Sequence, residues 1–139
     1  MKVDLDMLKR VFAASPFVAD VGIVPIAFED GKVTTELVLG KRHTQHAGVV
    51  HAGVMATMAD HSMGAAAQAA APAGQWIVTA ELKTSLLRAA SGERLVCEAQ
   101  VLKPGRAITF TEASVWAESA GQRTLVMKAS ATMALTAAG

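Results

Sequence analysis

Several large functional classes leave a mark in sequence that is missing here. There is one cysteine, Cys97, so no disulfide can form within the chain, and the expected setting is reducing and cytoplasmic. Neither charge is in excess. The 13 basic and 12 acidic residues give a formal net charge of +1, whereas a nucleic-acid-binding surface carries a basic surplus, so no nucleic-acid partner is expected. No Gly-x-Ser-x-Gly run occurs, which argues against a serine hydrolase built on a nucleophile elbow. Glycine-rich loops of the kind that cradle nucleotide phosphates are missing too. No repeat, low-complexity tail or linker interrupts the chain, and residues 1–139 read as a single domain. The opening "MKVDLDMLKRVF" mixes acids with its apolar residues and is not expected to act as a signal peptide.

Hydrophobic residues are plentiful, at 52%, enough for a substantial core. Their densest concentration is "QHAGVVHAGVMATMADHSMGAAAQAAA", from Gln45 to Ala71. Asp60, His61, Ser62 and Gln68 break this run, which excludes a membrane span of about 20 predominantly apolar residues. It reads instead as a helix from about His51 to Ala71, stopped by Pro72 and Gly74 and surrounded by protein.

The flanking segments supply the surroundings. Val3, Met7, Leu8 and Val11 form one stripe of a short N-terminal helix, expected to end near Ser15-Pro16. Residues 17–40 read as two strands joined by Asp30-Gly31. Pro25 marks a bulge or an edge in the first of them. Residues 41–50 read as a loop. Four more strand-like runs follow the long helix. The last alternates most cleanly, with Leu125, Met127, Ala129, Ala131, Met133 and Leu135 on one face and Thr124, Lys128, Ser130 and Thr132 on the other. The expected fold is α+β: about six antiparallel strands curved around one long helix, with a short helix in front. One sheet cannot enclose a helix completely, and an uncovered apolar side usually marks an interface. A homodimer is therefore expected.

Asp60 is the one carboxylate in this apolar helix, where an ionised group is costly to bury without a partner. Thr57, one turn earlier, is the simplest partner within the helix. The helix start near His51 aims unpaired N–H groups and a positive dipole end at the preceding loop. Gly53 leaves the backbone open there, which suits a carbonyl oxygen that gains negative charge in acyl transfer. Asp60 lies nine residues after His51, about 13 Å along the axis, too far for both to act on one carbonyl in a single chain. His43, His46, His51 and His61 raise the question of a metal, but His43-x-x-His46 falls in a loop and no His-x-x-x-His pair exists, so no metal site is expected.

The run Gln45-x-x-Gly48-x-x-His51-Ala52-Gly53, followed by Asp60, resembles the signature of hotdog-fold acyl-CoA thioesterases of the phenylacetic acid degradation (PaaI-like) branch. That signature reads Asn-x-x-Gly-x-x-His-Gly-Gly, with an Asp or Glu further along the helix. "VTAELKTSLLRAA" and "LKPGRAITF" are similar to later parts of the same family. The resemblance implies a hotdog fold, a homodimer that often pairs into a dimer of dimers, and hydrolysis of an acyl-CoA thioester with no cofactor beyond the coenzyme A of the substrate. It implies that N–H groups around Ala52 and Gly53 polarise the thioester carbonyl. Asp60 of the partner subunit would act as general base or nucleophile, Gln45 would orient water or the departing thiol, and His51 would be an orienting residue. Thr79 would sit near the carboxylate. Arg88, Lys103 and Arg106 would meet the CoA phosphates. Gln45 stands where the family has Asn, and Ala52 where it has the first of two glycines. Those departures leave open a hotdog hydratase or dehydratase, and an acyl-CoA-binding module without activity.

Overall fold

Residues 2–137 are described by a computed structural model. The N-terminal helix α1 (Leu5–Ala14) begins where Asp4 accepts a hydrogen bond from the Met7 N–H at 2.8 Å, satisfying one of the donors every helix start leaves free. Its buried residues are Leu8 and Phe12, and Val11 lies at its exposed margin. The apolar stripe is therefore shifted from the one expected.

A second short helix, α2 (Pro16–Val21), follows at once. Sequence periodicity assigns these residues to a strand, because "FVADVGIV" alternates almost as well as it repeats. The helix forms because Pro16 occupies its first turn, where a missing N–H costs nothing. Gly22, at φ +99°, closes it in the left-handed region.

The first strand thus starts later than expected, as β1 (Val24–Glu29), and pairs with β2 (Lys32–Val38). Asp30 and Gly31 both have positive φ, 52° and 77°, which makes the two-residue turn type I′ and fits the right-handed twist of the strands. Pro25 meets both of its expectations: β1 is an edge strand, and the register shifts between Pro25 and Ala27.

The long helix α3 (Ala52–Ala70) has His51 as N-cap and Ala71 as C-cap. Four strands complete the sheet: β3 (Gln75–Leu86), β4 (Arg94–Lys103), β5 (Ile108–Ser119) and β6 (Gln122–Ala137). Their order is β1-β2-β4-β5-β6-β3, all antiparallel. The curved sheet wraps α3, which is the hotdog fold.

The core lies between them. Met58, Ala59, Met63 and Ala67 of α3 meet Leu95, Cys97, Val115, Met127 and Met133 of the sheet, and Ala66 packs in a smaller cluster with Leu8 of α1 and Val33 of β2. Alanines bring helix and strands close, and each buried methionine contributes roughly 1.5–3 kcal/mol. The polar atoms inside are partnered: Thr35 and Ser62 hydroxyls share a hydrogen bond of 2.8 Å. Beside them the Cys97 thiol is pushed up to about 12 by burial and is inert packing.

The strand that matters most for the site is β3. Among the described residues it pairs only with β6, which leaves its other edge open over 12 residues. Trp76, Val78, Leu82 and Leu86 are exposed along it, Trp76 by 62% and Leu86 by 52%. A long unpaired edge with exposed apolar side chains is a pairing surface. Among the described residues no helix is long and apolar enough to cross a membrane.

Candidate active site

Asp60 sits on the middle turns of α3, and its partner is not Thr57. The Thr57 hydroxyl donates instead to the Gly53 carbonyl, one turn back, at 2.8 Å. The Asp60 carboxylate accepts a hydrogen bond of 2.7 Å from the Thr79 hydroxyl of β3. A bulge aims that hydroxyl. Thr79 pairs with Met133 but Glu81 pairs with Thr132, so Ala80 is an extra residue in the strand, and a bulge re-aims the side chains beside it.

The two groups stand at the rim of a cavity of about 340 Å³ between α1, α3 and β3. Its walls are mostly apolar, with Met7, Val11 and Phe12 on one side and Ile77 and Trp76 on the other. His61 stacks edge-on against Phe12 at 4.4 Å between ring centroids. Burial holds its pKa below the ordinary value, against the attraction of Asp60, so the ring is neutral at neutral pH.

Two residues that sequence reasoning overlooked complete this end. Phe12 carries α1 onto His61. The Gln68 amide donates to the Gln75 carbonyl at 2.8 Å and accepts from the Ile77 N–H at 3.0 Å, fastening the start of β3 to the helix. The available signal was spacing, since Asp60, Gly64 and Gln68 recur every four residues on one helical face.

The start of α3 forms a second, separate place. His51 Nδ1 accepts from the Gly53 N–H at 2.8 Å, so a neutral His51 carries its proton on Nε2. A Cβ on Gly53 would lie 3.0 Å from His51 Nδ1, a tight contact that the imidazole would have to relieve by shifting. Hence the Gly53 N–H, expected to face a ligand, is already engaged. The Ala52 N–H is the one at the helix tip with no partner among the described residues.

Gln45 and Ala52 line a shallow cavity of about 350 Å³ with Leu86, Leu87 and Arg88. Gln45 is held by its own loop, its side-chain oxygen accepting from the Ala47 N–H and its N–H reaching Val49 at 2.8 Å. Arg88 donates to the Leu125 carbonyl at 3.0 Å, which leaves other donors of its guanidinium fork free.

The expected site residues therefore fall into two groups. Gln45, His51, Ala52, Gly53 and Arg88 gather at the start of α3. Asp60 and Thr79 lie eight residues or more beyond Ala52, about 12 Å along the helix. Lys103 and Arg106 do not join Arg88. Arg88 is anchored beside Val126 of β6, and Lys103 lies opposite Phe110, which pairs with Thr132, roughly 20 Å further along at 3.3 Å per residue. Among the described residues no three His, Cys, Asp or Glu side chains converge as metal ligands. His43 is buried and structural, with Nδ1 accepting from the Gly40 N–H and Nε2 donating to the Val21 carbonyl.

Comparison with known proteins completes these findings. Residues 47–124 match the sequence model of the Thioesterase superfamily. No curated protein matches the chain. Among solved structures, a thioesterase family protein from Silicibacter pomeroyi is 29% identical, with a TM-score of 0.90, 94% of this chain and 96% of that one being covered. Zebra fish thioesterase superfamily member 2 is 27% identical, with a TM-score of 0.84, over 97% of this chain and 100% of that one. A Bacillus halodurans protein solved with CoA shares the fold at 24% identity and a TM-score of 0.69, over 73% of this chain and 70% of that one.

Proposed function

Since the chain belongs to the thioesterase superfamily, we propose that it hydrolyses an acyl-CoA thioester in a site shared by two copies, with Asp60 of one subunit facing the start of α3 in the other. The observation that carries this reading is the separation of Asp60–Thr79 from the Ala52 N–H along one rigid helix. Neither half suffices: a carboxylate with no donor for the carbonyl oxygen, or a donor with no base. A two-fold pairing of the open β3 edges joins them. Antiparallel pairing lays the Leu86–Arg88 end of one β3 beside the Gln75–Thr79 end of the other. The same pairing carries Arg88 of one subunit toward the end of the partner's sheet that bears Lys103 and Arg106, a cationic rim suited to CoA phosphates. Two such dimers form the proposed tetramer, and the narrower placement in the phenylacetic acid degradation branch belongs to this same reading.

The chemistry follows from the groups. The thioester carbonyl oxygen accepts from the Ala52 N–H at the positive end of α3, where negative charge is stabilised as it develops. Asp60, oriented by Thr79, removes a proton from water as the water attacks the carbonyl carbon, or attacks that carbon itself to form a mixed anhydride that water then hydrolyses, the water's proton in either case going to the departing thiolate. The carbon–sulfur bond then breaks, and the CoA thiolate leaves and takes up a proton. Gln45 flanks the thiol side. His51 does not serve as base here, because its Nδ1 already accepts from Gly53, and this weakens the hydratase reading.

The test is thiol release from a panel of aryl and straight-chain acyl-CoAs by the wild type and by Asp60→Asn. The variant should lose 10²–10⁴-fold in kcat, the usual worth of a positioned base. Equal turnover by both removes Asp60 from the mechanism. Tight binding of acyl-CoAs with no turnover by the wild type makes the chain a binding module.

A further inference from the structure

Gly64 lies one turn beyond Asp60, in the interior of α3. Glycine is the poorest helix former after proline, so a mid-helix glycine calls for a cause. Close packing is the usual one, and within this chain it does not apply: a Cβ built on Gly64 meets none of the described residues' atoms within 4 Å outside its own helix backbone. The open space is instead the cavity that begins at Asp60 and Thr79 and runs beneath α1.

We infer that Gly64 sets the size of the acyl group this chain accepts: the acyl chain passes from the Asp60–Thr79 pair across Gly64 into the apolar space under Met7, Val11 and Phe12. The inference rests on the thioesterase reading of the same site. The lining fits an uncharged acyl group. The one cation-forming side chain on it, His61, is held neutral by burial, so a terminal carboxylate on the acyl chain finds no counter-charge there.

The dimensions set a scale. At roughly 30 Å³ per water-sized group, a cavity of 340 Å³ has room for on the order of ten such groups. From Asp60 to Ala69, both on its lining, the helix rises about 13 Å. Gly64 stands near the middle of that span. A leucine there adds four heavy atoms, roughly 120 Å³ at the same volume per group, and, leaning back over the preceding turn, narrows the passage from the Asp60–Thr79 pair into the inner space.

The experiment pairs two readouts on the wild type, Gly64→Ala and Gly64→Leu. The first is kcat/KM over straight-chain acyl-CoAs of increasing length. The second is binding of the matching S-alkyl-CoA thioethers, which cannot be hydrolysed and so report on the cavity whether or not the protein is a hydrolase. Gly64→Leu should lower the ratio of decanoyl to butanoyl kcat/KM at least tenfold and weaken decyl-CoA relative to butyl-CoA by a similar factor. Gly64→Ala should shift both ratios less and raise the melting temperature. Chain-length profiles parallel to the wild type in both readouts overturn the inference. So does a Gly64→Ala protein that melts lower and changes oligomeric state, which would make the glycine a helix contact between copies. If the thioethers show the expected shift but no acyl-CoA is turned over, the thioesterase reading fails and the role of Gly64 stands.

Discussion

The oxyanion role assigned to the Ala52 N–H can be tested by removing that one hydrogen. Ala52 is the first residue of α3, the position at which helices accept proline most readily. The residue before it, His51, has φ −63° and ψ 134°, the polyproline II region toward which a following proline drives its neighbour. The Ala52 N–H has no partner among the described residues, so Ala52→Pro breaks no internal hydrogen bond. Stability should therefore stay within about 0.5 kcal/mol of the wild type, as for a surface change that touches no buried feature. Activity should not. Deleting one oxyanion donor costs roughly 2.7–4 kcal/mol of transition-state stabilisation, or 10²–10³ in kcat. Circular dichroism melts would establish the fold, and thiol release at saturating acyl-CoA would give kcat. Ala52→Gly, which keeps the N–H, should retain activity within severalfold. A well-folded Ala52→Pro protein with the wild-type kcat would refute the assignment and return attention to the Gly53 N–H.

Three further outcomes follow from the contacts around the helix. Thr79→Val keeps the shape of the side chain but removes the hydrogen bond to Asp60; with hydrogen bonds to charged groups worth about 1.5–3 kcal/mol, kcat should fall roughly 10- to 100-fold with little change in KM, and Thr79→Ser should restore most of it. His51→Ala removes an N-cap worth about 1 kcal/mol, so the melting temperature should drop by a few degrees while activity falls only severalfold; a loss of several orders of magnitude with an unchanged melt would instead mark His51 as the base. The third concerns pH. Burial holds His61 below its ordinary value of 6.5, so its stabilising contribution is complete above about pH 6.5 and is lost as the pH falls through its lower folded value. Urea denaturation at pH 7.5 and 5.5 should show a smaller loss of stability on acidification for His61→Leu than for the wild type, and equal losses would remove His61 as the source.

Much of the fold is written in local chemistry. The I′ turn at Asp30-Gly31 needs two left-handed residues, and the sequence supplies the pair that tolerates them. The ends of α3 fall within a residue of the caps read from His51 and from Pro72-Gly74. The errors arise where two periodicities coincide. "FVADV" satisfies a strand and a helix equally over five residues, and what decides is Pro16 at a helix start, a rule of position rather than pattern. Pairing of β3 with β6 is a contact across some 50 residues, and no local signal specifies it. The bulge at Ala80, which turns Thr79 toward Asp60, depends on that pairing and is equally hidden.

The site divides along the same line. Asp60 stands out because a lone carboxylate in an apolar helix needs a reason, and the spacing from Gln45 through His51 supplies a resemblance that points to one. What spacing cannot convey is which N–H a side chain has already taken. His51 folds back onto Gly53, and only that rotamer separates an engaged donor from the open one at Ala52. The seven residues between Ala52 and Asp60 are helical, and a helix holds its ends at about 1.5 Å per residue. No loop movement brings these two groups together within one chain, because no loop lies between them. A reaction that needs both must therefore take one of them from another molecule, and the long open edge of β3, apolar and unpaired beside Thr79, is the surface on which a second copy has the most to gain. On this reasoning the proposed activity depends on the dimer, and subunits held apart carry two incomplete halves.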